Sequence, residues 1–531
     1  MNLMATRRGL LAGTAASLVA ATVAGRAVAR AVRRRKPNIL FIYADDLGYR
    51  DLSCYGATAV STPNVDRLAK NGVRFTNGHA PSATCTPSRY AFLTGEYAWR
   101  NPSAHILPGD APALIPPGKP TVASMLKEAG YKTAAIGKWH MGLGNGNLDW
   151  NARIAPGPLE IGFDYAFYFP ATLDRVPCIF IENHHVVNLD PKDPIKVNYR
   201  DKVGSDPTGL EDPKALKMMW NDGHNGTIVD GVSRIGWMEG GHSARWIDED
   251  MADTLVAKAM AFFDDYGDQP FFMYFAASEI HVPRMPARRF QGATDMGPRG
   301  DSIVEFDWVV GALVQKLEQL GILDNTLIVL SSDNGPVLND GYDDDAVKKI
   351  GEHRPSGSFR SGKYSIYDGG LRVPLISHWP DAIPAGITSP ALIDGVDMFA
   401  TFADLVHEPL TRNEAVDSFD LLPALTASSP SGRSFVVEDT STVNSEQSSL
   451  NAHGDSILAL VEGDWKVIKP QGSIFSSFHG NDIGDGPVAQ LFNIAEDPGE
   501  TINLATRYPE RTQRMLARLG LILASGRSRP N

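Results

Sequence analysis

The chain has 531 residues, more than one hydrophobic core usually organises, so more than one domain is expected. Apolar residues make up 43% and charged residues 21%, the balance of a soluble globular enzyme. The net charge of −12 argues against a nucleic-acid partner, which needs a basic face, and three cysteines cannot form a disulfide framework.

Residues 1–36 differ from the rest. A basic start, an Ala/Leu/Val run and the small-residue site Ala27-Val28-Ala29 have the order of a secretory signal. Residues 1–29 are therefore read as a signal peptide, and the mature chain as periplasmic or secreted. Thr6-Arg7-Arg8-Gly9-Leu10-Leu11 resembles a twin-arginine export signal, and a Sec signal with incidental arginines is the alternative. The apolar run is short and rich in small residues, so no stable membrane association is expected.

From Pro37 onward, short apolar runs alternate with amphipathic stretches. "PNILFIYADD" reads as a strand ending in two aspartates, and "TPNVDRLAKNGVRF" as a Thr/Pro-started helix. "TVASMLKEAGYKTAAIGKWH" reads as helix, glycine stop, strand. Residues 145–235 are rich in Pro, Asn and Asp and read as long insertions over one end of a sheet. A helix over "SARWIDEDMADTLVAKAMAFFDDY", the strand "QPFFMYFAASEIH" and a long helix over "IVEFDWVVGALVQKLEQLGILDN" come next. "TLIVLSSDNG" and "GGLRVPLISHWP" supply further strands. Unbroken apolar strands between helices predict an α/β fold with a mostly parallel central sheet flanked by helices. This main domain is assigned to residues 37–409. From 410 to 525 the texture changes to loops, a hairpin over "ILALVEGDWKVIKP" and a final helix, which predicts a smaller α+β domain with an antiparallel sheet. Cys54 and Cys178 are expected as buried free thiols, a disulfide between them being the alternative.

In open α/β sheets, ligands gather beyond the carboxyl ends of the strands. There the first strand delivers Asp45-Asp46, another Lys138-Trp139-His140, a third ends near His281, and a fourth delivers Asp333-Asn334. Asp45, Asp46, Asp333 and Asn334 are hard oxygen donors, suited to Ca²⁺ or Mg²⁺ and not to zinc. Arg89, Lys138, His140, His281 and Lys363 add cations and proton carriers, which implies a charged anion as substrate. His79, His105, His378, His407 and His479 are read as structural.

With these residues in place, a resemblance can be named. "CTPSRYAFLTG", residues 85–95, matches the C-x-P-S-R-x-x-x-L-T-G signature of formylglycine-dependent sulfatases of the alkaline-phosphatase superfamily. "GKWHMG", "SSDNG", "GGLRVP" and "LFNIAEDPGETINLA" resemble the later motifs of that family. The resemblance implies that Cys85 is oxidised to formylglycine by a formylglycine-generating enzyme. The hydrated aldehyde attacks sulfur, and its second hydroxyl later expels sulfate. It also implies that Asp45, Asp46, Asp333 and Asn334 hold Ca²⁺ together with an oxygen of modified Cys85. Arg89 and Lys138 would steady the nucleophile, His140 assist sulfate expulsion, His281 protonate the leaving alcohol, and Lys363 bind sulfate. Asp368 stands where relatives often carry glutamate, and little effect is expected.

The insertion loops resemble those of bacterial carbohydrate sulfatases, so the implied partner is a sulfated small molecule or glycan. Sulfated galactose or N-acetylgalactosamine fits best, with Asp174, Arg175 and His224 as sugar-binding residues. Two other functions fit the same fold: a phosphodiesterase or phosphonate monoester hydrolase, and a non-catalytic glycan-binding homologue.

Overall fold

The computed structural model describes residues 36–440, 456–472 and 476–530. The expected signal peptide lies outside the described residues. At the centre is a ten-stranded sheet. Its strands are β1 (Asn38–Ala44), β2 (Val73–Phe75), β3 (Lys132–Lys138), β4 (Tyr165–Phe169), β5 (Ile181–Glu182), β6 (His185–Val186), β7 (Phe271–Ala276), β8 (Thr326–Ser332), β9 (Leu375–His378) and β10 (Ile387–Ser389). They lie in the order β10-β2-β9-β8-β1-β7-β3-β4-β5-β6. The run β8-β1-β7-β3-β4 is parallel throughout. Antiparallel pairings add β9 and β2 on one side and β5 and β6 on the other.

Every residue of β1, β7 and β8 is buried. Successive side chains point to opposite faces, so both faces must be covered, and the sequences are correspondingly apolar without alternation. Helices α1 (Pro63–Lys70), α4 (Met251–Tyr266) and α5 (Pro298–Gln319) pack together as one covering group. The other group is α2 (Cys85–Thr94), α3 (Val122–Glu128) and α6 (Met398–Val406).

Strand register brings the site together. Ala44 pairs with Ser332, so Asp45-Asp46 and Asp333-Asn334 leave the sheet side by side. On the other flank of β1, Tyr43 pairs with Ala276, and Ala276 pairs with Gly137 of β3. Gly137 has φ +104°, and a Cβ there would stand 1.9 Å from the Ala276 carbonyl oxygen. Only glycine allows this approach, and the next residue is Lys138. The insertion region is built from short hairpins and loops, including the ribbon of Lys196–Asn198 with Trp237–Glu239.

The C-terminal part contains an antiparallel sheet of β11 (Phe435–Asp439), β12 (Leu458–Glu462), β13 (Trp465–Ile468) and β14 (Gln490–Asn493), followed by helix α7 (Pro509–Ala524). It shares its apolar cores with the main sheet's surroundings. Val437, Leu460 and Val467 cluster with Ala91 of α2, and Ala459 and Ile468 cluster with Ala83, Ile366 and Tyr367. Within this interface Lys466 Nζ is fully buried, 2.8 Å from Asp368, 2.8 Å from Glu438 and 3.1 Å from Glu500. Arg372 also donates to Asp368, at 2.7 Å. Asp368 thus binds the C-terminal sheet through Lys466. The three thiols, half-buried Cys54 and buried Cys85 and Cys178, are free.

Removing one member of a buried charge cluster leaves the others uncompensated. Lys466→Ala is expected to destabilise the fold by roughly 3–5 kcal/mol, read as a lower midpoint in urea unfolding. A shift below about 1 kcal/mol, the range of an exposed ion pair, contradicts this role for Lys466.

Candidate active site

The segment "CTPSRYAFLTG" is a helix with its stop signal. Thr84 is extended and precedes α2, and Cys85 is the first helical residue. Pro87 sits in the first turn, where no intrahelical N–H bond is lost. Gly95 ends the helix in the left-handed conformation, its N–H bonded to the Ala91 carbonyl. Arg89 follows Cys85 by one turn, on the same side of the helix. All residues of α2 are buried, and Phe92 stacks on Phe41 of β1 with ring centroids 4.2 Å apart. The cysteine is therefore presented by a rigid element wedged against the central strand.

Around it lie the strand-end acids. Asp46 takes a left-handed backbone, φ +61°, which turns the chain sharply after Asp45. The Asp46 N–H donates to Asp333 Oδ1 at 3.2 Å. Asn334 donates its amide to Asp46 Oδ1 at 2.7 Å. Its own Oδ1 is buried with no hydrogen-bond partner. Ligand atoms of Asp45, Asp46 and His281 come within 4.8 Å of one another. An orphaned carbonyl oxygen beside converging carboxylates is the donor set a hard cation requires, so these residues fit Ca²⁺.

Three buried cations balance the acids. Lys138 Nζ donates to both oxygens of Asp45, at 2.8 and 2.7 Å. Arg89 donates from Nε and Nη2 to Asp333 Oδ2 at 2.9 and 2.7 Å, and from Nη1 to the Tyr274 hydroxyl at 3.1 Å. Lys363 Nζ donates to Asp46 Oδ2 at 2.9 Å. Burial pushes the Asp45 carboxyl well up, against the pull of Lys138. Burial acts on Asp333 in the same sense, but Arg89 and Lys138 outweigh it and hold that carboxyl below its usual range.

Two histidines have defined tautomers. His140 Nε2 lies 2.9 Å from the Leu107 carbonyl, which can only accept, so Nε2 carries the proton. Burial, reinforced by Lys138, holds the ring neutral. Its Nδ1 lone pair then faces Cys85 Sγ at 3.3 Å. His281 Nδ1 donates to the Val282 carbonyl at 2.7 Å, so its Nε2 lone pair faces Lys363 Nζ at 3.4 Å. Burial and Lys363 depress its pKa to about 4. The Cys85 thiol is pushed up by burial, although Lys138 and Lys363 pull the other way, so it is not a thiolate nucleophile.

The insertion loops contribute a linked trio. His224 Nε2 is 2.9 Å from Asp174 Oδ2, and Arg175 Nη1 is 3.1 Å from both Asp174 oxygens. The His224 ring lies against Gly341, whose neighbour Asp340 accepts a hydrogen bond from Lys363. The trio therefore borders the same site.

A sulfatase family model matches residues 37–408. The chain belongs to the sulfatase family. It is 46% identical over 478 residues to an N-acetylgalactosamine-6-O-sulfatase of Bacteroides thetaiotaomicron, covering 90% of this chain and 91% of that protein. It is 31% identical over 507 residues to human arylsulfatase A, covering 93% and 87%. A solved structure from work on glycosaminoglycan metabolism by Bacteroides thetaiotaomicron superposes with a TM-score of 0.88 at 45% identity, covering 92% of this chain and all of that one. The protein is a sulfuric ester hydrolase with the mostly parallel sheet and small C-terminal antiparallel sheet of its family.

The candidate site also contains residues that no sequence motif marks. Asp340 accepts from Lys363 Nζ at 3.1 Å and from the Tyr364 hydroxyl at 3.2 Å. His479, read above as structural, lies with Nε2 3.6 Å from Asp340. Tyr364 carried a signal, since it adjoins Lys363; Asp340 and His479 sit in loop sequence with none. Among the other histidines, His79 is buried 2.9 Å from Glu438, in keeping with a structural role.

Proposed function

We propose that this sulfatase acts outside the cytoplasm on a sulfated carbohydrate, a 6-sulfated N-acetylgalactosamine or galactose unit. The observation that carries this reading is the Asp174–Arg175–His224 trio, linked through the Asp340-Gly341 loop to Lys363. Buried, mutually oriented polar groups beside a reacting centre are what sugar hydroxyls need for recognition. The similarity to the Bacteroides enzyme points to the same substrate class.

In this reading Cys85 is converted to formylglycine by a formylglycine-generating enzyme. Hydrated, that residue would supply one hydroxyl to attack sulfur as the alcohol leaves, and a second whose deprotonation would re-form the aldehyde and release sulfate. Asp45, Asp46, Asp333 and Asn334, with an oxygen of the modified Cys85, would hold Ca²⁺, which would supply fixed positive charge next to the reacting group. Arg89 and Lys138 keep Asp333 and Asp45 in place. Lys363, the cation closest to His281, binds a sulfate oxygen. The Nδ1 lone pair of His140 accepts the proton of the second hydroxyl. His281 Nε2 delivers a proton to the leaving alcohol oxygen. Burial and the Lys363 charge hold the free ring neutral; a bound sulfate anion offsets the Lys363 part, so that Nε2 takes up from solvent the proton it then delivers.

A sulfated hexose is expected to be hydrolysed with a higher kcat/KM than a small aryl sulfate, because contacts to sugar hydroxyls that strengthen in the transition state raise it. Arg175→Ala is expected to lower kcat/KM on the sugar about tenfold or more and to affect the aryl sulfate far less. Equal losses on both substrates contradict the sugar-binding role.

Calcium is expected to raise the thermal midpoint and a chelator to lower it, since ligand at 100 times its Kd adds about 2.7 kcal/mol. Asp333→Ala should lose both this response and activity. Stoichiometric zinc without calcium on metal analysis contradicts the assignment.

Active protein should carry formylglycine at position 85, so the peptide containing Thr84–Arg89 should be lighter than its cysteine form and reactive with aldehyde probes. Full turnover by a sample whose Cys85 is wholly thiol by mass spectrometry contradicts the mechanism.

A further inference from the structure

The strands Ser477–Phe478 and Asn481–Asp482 form a small hairpin closed by His479-Gly480. Both loop residues have positive φ, +46° and +82°. A two-residue loop of this kind is a type I′ turn, whose first position favours asparagine, aspartate or glycine. Histidine tolerates this backbone, though asparagine and glycine serve the turn better.

The hairpin is fastened to the loop that carries Lys363. Asn481 donates to the Lys363 carbonyl at 3.0 Å, and Ser361 and Ser365 donate to the Asp482 carbonyl at 2.7 and 2.6 Å. Arg360 donates to the Asp482 carboxylate at 2.6 Å. So anchored, the turn holds the His479 ring 5.7 Å from that of Tyr364, with Phe478 edge-on to Tyr364 at 4.7 Å. His479 Nε2 lies 3.6 Å from Asp340, which also binds Lys363 and Tyr364. The next residue, Gly341, has φ +96° and no room for a side chain, because the His224 ring lies against it, 1.9 Å from where a Cβ would stand. The Asp340-Gly341 loop therefore joins two groups: Lys363 with His479 on one side, His224 with Asp174 on the other.

We infer that Phe478 and His479 of this hairpin, with Asp340, form a second wall of the sugar subsite and determine specificity for the sulfated hexose. This rests on the carbohydrate reading above and extends it to residues more than a hundred positions beyond Lys363. The ring nitrogens of His479, steadied by Asp340, exchange hydrogen bonds with pyranose hydroxyls. The aromatic rings of Phe478 and Tyr364 offer apolar surface to the C–H face of the sugar. The Asp174–Arg175–His224 trio holds the hydroxyls this wall does not reach.

The test replaces His479 by the residues the turn itself prefers, His479→Asn and His479→Gly, so that the hairpin is kept. Wild type and variants are compared on 6-sulfated N-acetylgalactosamine, 6-sulfated galactose and 4-nitrophenyl sulfate. Loss of one hydrogen-bonding contact should lower kcat/KM on the preferred sugar about tenfold, mainly through KM. The sugar-to-aryl ratio of kcat/KM should fall by roughly fivefold or more, with the thermal midpoint of the Asn variant not lowered. Sugar turnover equal to wild type, or a loss shared equally by sugar and aryl substrates, overturns the inference and leaves the carbohydrate reading standing. A wild-type enzyme that cleaves the aryl sulfate and neither sugar overturns the carbohydrate reading and this inference with it.

Discussion

The structure depends on keeping several carboxylates buried at the edge of one sheet. Asp45, Asp46 and Asp333 are almost fully buried, and each is held by a cation from a different segment: Lys138, Lys363 and Arg89. Burying such charges costs several kcal/mol each unless they are paired and hydrogen-bonded. Strand register fixes where the acids emerge, and α2, β3 and the Lys363 loop are fixed by where the counter-charges must stand. Gly137, which lets β3 approach the Ala276 carbonyl, and the left-handed turn at Asp46 lie at this same edge.

This arrangement divides labour among the cations in a way the linear motifs do not state. Arg89 follows the cysteine in the signature, and its contacts here are with Asp333 and Tyr274. Lys138 grips Asp45 with both of its hydrogen bonds. In this structure the direct contacts of both are with the acids. Lys363 is shared between Asp46 and Asp340, next to His281.

Much of this was legible in the sequence because it is local. An apolar run ending in Asp45-Asp46 states both a strand and what leaves its end, and Thr84 to Gly95 states a helix with its start and stop. The parallel centre followed from strands without polar alternation. Asp340, Phe478 and His479 were not legible, since their meaning comes from contacts across more than a hundred residues, made by loops without periodicity. Lys466 was hidden for a related reason. In "WKVI" it looks like the exposed position of an alternating strand, yet it is fully buried, because Asp368, Glu438 and Glu500 meet it in the interface. The antiparallel flanks of the main sheet, likewise, are set by pairing partners that no local pattern names.

The anchoring of the Lys363 loop has a consequence for the order in which the enzyme is made. A ribosome delivers the acids, the cysteine and Lys363 itself well before Lys466 and Asn481. Domains generally fold as units from the N-terminal side during synthesis. Here the loop bearing Lys363 gains its hydrogen bonds from Asn481 and Asp482, and nearby Asp368 gains its buried partner Lys466, only when the last part of the chain arrives. The emerging polypeptide therefore carries Asp45, Asp46, Cys85 and Lys363 before the Lys363 loop has all of its hydrogen bonds.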